Sequence, residues 1–166
     1  SGPIHVGNMR EVITTDAVYK SLIEKGAEPE FIYIADDYDH LRKLYPFLPD
    51  SFKKYIGMPI SEIPCVCGKH DSYADHYLIS FLKSLKKLGI NPKVIRASEY
   101  YKKGRYNNSI QIALENVEKI KEIIENVSKR ELPKNWIPFN VKCNNCGKIT
   151  DTKPVLYEFP NIEVEL

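Results

Sequence analysis

An alternation of helical and strand-like patterns over the first hundred residues constrains the fold more than any other feature. Residues 9–25 place Val12, Ile13, Ala17, Leu22 and Ile23 near helical spacing, with Gly26 as a stop signal. "EFIYIA" (30–35) is a short apolar run of β-branched and aromatic residues, the mark of a buried strand. "HDSYADHYLISFLKSLKKLG" returns to the helical period. It aligns Tyr73, Tyr77, Phe81, Leu85 and Leu88 on one face and closes at Gly89. "NPKVIRAS" (91–98) reads as a second strand. Helix, strand, helix, strand with connections of crossover length implies a parallel sheet in an α/β domain.

Two stretches depart from that rhythm. "LRKLYPFLPDSFKKYIGMPISEIP" is broken by prolines between apolar and aromatic clusters, which predicts a packed, irregular excursion with short helical turns. From Arg105 onward Ile110, Ala113, Leu114, Val117, Ile120, Ile123, Ile124 and Val127 trace one stripe. That pattern predicts a single helix of about 20–25 residues, ended by Pro133 and Pro138. A short β-like tail carries "CNNCGK" and "VLYEFPNIEVEL".

Composition excludes some classes. The net charge is +2 over 166 residues, so there is no long-range electrostatic case for nucleic acid, although a local basic patch stays open. No run approaches the roughly 18 apolar residues a membrane helix needs, and no signal peptide is visible, so a cytoplasmic protein without membrane contact is expected. The opening lacks an initiator Met and starts in a turn-like "SGP", as a fragment would.

Four constellations can carry chemistry. "HVGN" precedes the first helix. In a doubly wound sheet that loop lies at the carboxyl edge of a strand, where a helix N-terminus offers N–H groups and a positive dipole end to phosphate. Gly7 permits close approach, while His5 and Asn8 can donate hydrogen bonds to phosphate oxygens. The alternative is that Asn8 simply caps the helix and His5 is a surface residue.

The acidic burst "ADDYD" ends the first strand at the same crevice. Asp36, Asp37 and Asp39 there can hold a cationic ligand group or organise the site's hydrogen bonds; alternatively Asp37 or Asp39 caps a helical turn and Arg42 and Lys43 neutralise the cluster.

"CVCGKHDSYADH" supplies Cys65, Cys67, His70 and His76 within twelve residues, the thiolate and imidazole set that zinc prefers. With all four ligands present and no open position, such a zinc is structural. The two histidines are not at i, i+4 spacing, so the geometry calls for a bent or frayed helix start. The alternative is two half-buried thiols and two solvent-facing histidines.

Cys143 and Cys146, in "CNNCG", are spaced as in a zinc-ribbon knuckle; either a partner pair lies beyond this fragment, or they borrow other ligands, or they are two unmetallated thiols. Close pairs far apart in a chain without secretory signals read as metal sites before disulfides.

These residues resemble a known family. "SGPIHVGN" is similar to the ATP signature of class I aminoacyl-tRNA synthetases. "ADDYDHLRKLYPFLP", "YIGMPISEIP", "HDSYADH", "ASEYYKKGRY" and "LPKNWIPFNVKCNNCG" resemble, in register, class I lysyl-tRNA synthetase of the archaeal type. The resemblance implies a Rossmann-like parallel sheet over residues 1–104, the first half of a nucleotide-binding fold, with a zinc-binding segment at 65–76. It also implies a partial connective insertion over 105–166.

By the same resemblance, the activity is formation of lysyl-adenylate from lysine and ATP with Mg2+, followed by transfer to tRNA(Lys). His5 and Asn8 are the catalytic candidates, with Gly7 beside them in the ATP signature, and Asp36 or Asp37 is the candidate for the lysine ammonium. Zinc ligands vary within the family; one pattern has Asp at the position of Cys65 and Cys at that of Lys69, so Cys67 is assigned on its chemistry. The preceding "TP" strand, the second half of the fold, the lysine-recognition residues, the Lys-Met-Ser-Lys-Ser-type loop and the anticodon-binding region are absent. The chain as given is therefore not expected to aminoacylate. Two alternatives are a stand-alone zinc-stabilised RNA-binding module descended from such an enzyme, and a class I synthetase for another amino acid.

Overall fold

A computed structural model describes residues 2, 4–150 and 152–165; Ser1 and Pro3 of the turn-like opening lie outside the described residues. The chain is α/β and divides into two compact units, one of residues 1–39 and 60–100, the other of 40–59 and 101–166.

In the first unit, helix α1 (Val6–Glu24) is followed by β1 (Ile32–Ala35), α2 (Tyr73–Lys87), β2 (Lys93–Arg96) and the first residues of a short α3 (Ala97–Lys102). The strands pair in parallel, with Tyr33 opposite Val94 and Ala35 opposite Arg96, as the alternation predicts. The second predicted strand stops at Arg96, because Ala97 and Ser98 open α3.

β1 is a half-buried strand rather than the fully buried one expected. Phe31 and Ala35 are buried and Tyr33 is half-buried, while Ile32 and Ile34 stay exposed. The core joins Val12, Phe31, Phe81, Leu85 and Ile90, with Met9, Tyr19 and Tyr33 packed against it. Tyr33 and Phe81 meet at 5.5 Å between ring centroids, and Tyr19 and Phe31 at 5.6 Å.

The sequence stripe on α1 is therefore corrected. The helix turns Met9, Val12 and Tyr19 inward, at i, i+3 and i+10, and leaves Ile13, Ala17, Leu22 and Ile23 exposed. In α2 the buried face is Tyr73, Ala74, Leu78, Phe81 and Leu85; Leu88 caps the helix and is exposed. Ser72 caps the other end, its hydroxyl accepting from the Asp75 N–H.

In the second unit, the proline-rich excursion holds one 3₁₀ turn (Asp50–Tyr55), which buries Phe52. Gly57 sits at φ +91°, donates to the Leu41 carbonyl and accepts from the Ile149 N–H at 2.8 Å. The long helix predicted from Arg105 is instead two helices, α4 (Asn107–Glu115) and α5 (Val117–Ser128). Asn116 breaks them: its amide donates back to the Ile112 carbonyl at 2.8 Å, and its backbone leaves the helical region. The break lets Leu114 and Val117 share one core with Ile137, packed by Trp136, Phe139, Tyr157 and Ile162. The tail is an antiparallel hairpin, β3 (Lys153–Glu158) and β4 (Asn161–Glu165).

Candidate metal centre and nucleotide edge

Cys65, Cys67, His70 and His76 converge. The two Sγ atoms lie 3.2 Å apart, and each lies 3.3–3.4 Å from the Nδ1 of both histidines. All four atoms fall within 4.8 Å of one another. A tetrahedral zinc with bonds of roughly 2.3 Å to sulfur and 2.0 Å to nitrogen sets corner separations of roughly 3.3–3.8 Å. The sulfur–sulfur and sulfur–nitrogen separations are somewhat shorter than the corresponding corners, and the two thiols and two imidazoles are a donor set that fits zinc.

Local sequence builds the cluster without bending a helix. Gly68, at φ +67°, turns the chain so that its N–H reaches the Cys65 carbonyl. His70 comes from the loop two residues before the cap Ser72, and His76 stands in the first turn of a regular α2. The frayed start expected from the histidine spacing is thus unnecessary. The rings meet edge-on, 5.0 Å between centroids and 82° between planes. Burial opposes ionisation of Cys65, but hydrogen bonds from the Cys67 and His70 side chains, the Cys67 N–H and His76 outweigh it and lower its pKa to about 5. A thiol held so close to thiolate form is ready to ligate a cation.

Cys143 and Cys146 form a second, smaller knot in the other unit. The Gly147 N–H donates to the Cys143 carbonyl at 2.9 Å, and the Asn145 N–H points at its sulfur at 3.4 Å. The N–H groups of Cys146 and Asn145 lower the Cys143 pKa. Among the described residues no third His, Cys, Asp or Glu joins this pair.

At the other candidate site, His5 is the N-cap of α1. Its Nδ1 accepts from the Gly7 N–H at 3.0 Å, while Asn8 Oδ1 accepts from the His5 N–H at 3.4 Å, a reciprocal capping box. The capping alternative read from the sequence is therefore present, with an exposed His5 rather than Asn8 as the cap. In the neutral ring this leaves the proton on Nε2. It also means that the Gly7 N–H is already spent on imidazole, so an anion here would meet side-chain donors and the helix dipole.

His5 and Asn8 line a cavity of about 560 Å³ together with Tyr33, Asp36, Asp37 and Tyr77. Burial first, and the Glu11 carboxylate second, raise the Tyr33 pKa, so its phenol stays protonated.

Asp36 and Asp37 differ. Asp36 is exposed at the cavity edge, whereas Asp37 is 3% exposed. The Asp37 carboxylate accepts from Arg96 Nε, the Ser98 N–H and the Ser98 hydroxyl, each at 2.7 Å. Arg96 also donates from Nη1 to Asp75 at 2.7 Å. Burial disfavours its charge, but the bonds to Asp37 and Asp75 outweigh that and raise its pKa.

Arg96, Ser98, Ser72 and Asp75 are the participants that sequence reasoning missed. Two signals were there: the Ser-x-x-Asp capping pattern inside "HDSYADH", and one charge at the carboxyl end of an apolar strand.

A family model described as "tRNA synthetases class I (K)" matches residues 1–165. The chain belongs to this class I tRNA synthetase family. Class I synthetases use ATP, and in this family chain the capped start of α1 opens onto the cavity described above. The chain is 56% identical over 153 residues to a lysine–tRNA ligase of Methanosarcina barkeri, an alignment covering 92% of the chain and 28% of that relative. It is 57% identical over 157 residues to the lysine–tRNA ligase of Methanococcus maripaludis, covering 95% and 30%. Against that of Methanocaldococcus jannaschii it is 54% identical over 164 residues, covering 99% and 31%. The chain thus spans about a third or less of the length of the curated relatives it matches. No helix among the described residues is long and apolar enough to cross a membrane.

Proposed function

We propose that the chain is the amino-terminal part of the catalytic domain of a lysine–tRNA ligase. In this reading, the first unit contributes the opening half of a Rossmann-like nucleotide fold and residues 105–166 contribute part of the connective insertion. The enzyme condenses lysine with ATP to lysyl-adenylate and pyrophosphate, then moves the lysyl group to tRNA(Lys) in the cytoplasm.

The observation that carries the reading is the shared cavity. It brings the dipole-bearing start of α1, with His5 and Asn8, to the carboxyl end of β1, with Asp36 and Asp37. In the adenylation step a lysine carboxylate oxygen attacks the α-phosphorus and pyrophosphate leaves. Negative charge shifts onto the phosphate oxygens, where the His5 Nε2–H and the Asn8 amide donate as the charge grows. Mg2+ bound with the ATP would supply charge neutralisation for the departing pyrophosphate. Asp36, exposed at the same edge, faces the lysine ammonium; Asp37 holds that edge through Arg96 and Ser98.

Cys65, Cys67, His70 and His76 would hold a zinc ion whose work would be structural, tying the loop that precedes α2 to its first turn. Cys143 and Cys146 are half of a second zinc site.

The test is lysine-dependent exchange between ATP and pyrophosphate in the full-length ligase, run against a panel of other amino acids. Exchange specific to lysine that falls about 100-fold in His5→Ala is the expected result. Exchange with another amino acid, or unaltered exchange in His5→Ala, overturns the reading.

A further inference from the structure

Arg96 closes a bridge between two elements that the sequence separates widely. It ends β2, one strand over from Ala35, and its guanidinium reaches Asp37 from Nε and Asp75 from Nη1, both at 2.7 Å. Asp37 follows the end of β1 on the cavity and is tied to the first turn of α3 by the Ser98 N–H and hydroxyl. Asp75 lies in the first turn of α2, where its other oxygen accepts from Ser72 at 2.6 Å. The residue before Asp75, Ala74, lines the cavity, and the residue after it, His76, belongs to the metal cluster.

One cation between two nearly buried carboxylates is a costly arrangement. Packing the same volume with apolar side chains stabilises at least as well. What the ionic fork adds is direction: its planar donors fix two carboxylates at once, which an apolar contact does not.

We propose that Arg96 is a positioning residue that couples the Cys/His knot to the substrate cavity. The knot anchors the first turn of α2, Asp75 passes that anchoring to Arg96, and Arg96 sets Asp37 and hence the β1 edge of the cavity. The proposal rests on the reading of the cavity as the adenylation site. It assigns the metal a reach beyond its own loop: an ion bound by four side chains that never touch substrate governs how well substrate fits.

The experiment uses the full-length ligase as wild type, Arg96→Met and Arg96→Lys, with zinc bound and after chelation. Amide hydrogen exchange is followed around Ser98 in α3, whose N–H reports on Asp37, with the segment around Lys93 at the start of β2 as a control. In the wild type, zinc removal speeds exchange around Ser98 on the order of tenfold and leaves the Lys93 segment protected. In Arg96→Met the Ser98 segment exchanges fast even with zinc and does not respond to its removal. Arg96→Lys, which keeps the cation and loses the fork, retains part of the response and carries the comparison if the Met variant fails to fold.

In parallel, zinc-loaded Arg96→Met raises KM for lysine or ATP about tenfold at an unchanged zinc content. A residue that merely stabilises the fold would lower Tm but leave the zinc response of Ser98 and the KM values alone, and that result overturns the proposal. So does a wild type whose Ser98 segment ignores zinc. If zinc controls Ser98 through Arg96 but the wild type shows no lysine-dependent exchange, the coupling stands and the functional reading fails.

Discussion

The imidazole of His5 folds back over Gly7: its Nδ1 accepts from the Gly7 N–H at 3.0 Å, and a Cβ at Gly7 would lie 2.8 Å from the ring. The glycine is thus favoured by the placement of the histidine ring. Gly7→Ala is expected to push the ring off its cap, costing about 1 kcal/mol of helix stability. In the full-length ligase it should raise KM for ATP about tenfold, since Nε2–H is aimed by that same hydrogen bond. ATP titrations beside a thermal melt check both; a normal KM with the melt lowered would separate the cap from the site.

Removing one thiol from the Cys65 cluster leaves three of its four donors. Cys65→Ala is expected to lose about one equivalent of zinc and to destabilise the protein by about 3 kcal/mol or more. Metal analysis and thermal unfolding are the measurements. Cobalt substituted for zinc should give the intense visible absorption of a tetrahedral thiolate site in the wild type and lose it in the variant. A zinc content unchanged by Cys65→Ala would remove Cys65 from the ligand set.

Much of the fold and site was legible in residue patterns because the deciding interactions are local. The helix–strand alternation, the convergence of the four donors between Cys65 and His76, and the turn at Cys143 all lie within short windows. What escaped is what depends on partners far along the chain. The inward face of α1 is chosen by Phe31 and Phe81 contacting its neighbours, not by the apolar count of α1 itself. The break at Asn116 arises because a side-chain amide competes for the Ile112 carbonyl, an option a periodicity count does not weigh. Arg96 read as a strand-end charge, since its carboxylates lie 59 and 21 residues away.

Gly57 meets a double constraint. Its φ of +91° disfavours any side chain, and a Cβ would sit 2.5 Å from the Thr150 hydroxyl oxygen and 3.3 Å from Lys148. Its N–H and carbonyl tie Leu41 and Ile149 together. Gly57→Ala is expected to destabilise the second unit by about 1–3 kcal/mol. Urea unfolding followed through Trp136, which packs in that unit's core, measures it; an unchanged midpoint would show that the turn can relax.

The two aspartates at the end of β1 should separate cleanly. Asp37 is buried against Arg96 and Ser98, so Asp37→Asn leaves part of a guanidinium charge unmatched. Arg96 keeps Asp75 and is 27% exposed at its side chain, so the expected loss is reduced to roughly 1–3 kcal/mol. Asp36 is exposed, and Asp36→Asn is expected to leave stability within about 0.5 kcal/mol of the wild type. If Asp36 faces the lysine ammonium, removing its charge should raise KM for lysine at least about tenfold while KM for ATP stays put, because only one of the two substrates carries that cation. Measuring both constants by pyrophosphate exchange in the full-length ligase decides the assignment. A KM for lysine that does not move in Asp36→Asn takes this residue out of the pocket, and a rise in both constants together would point to a distorted β1 edge instead of a lost ammonium contact.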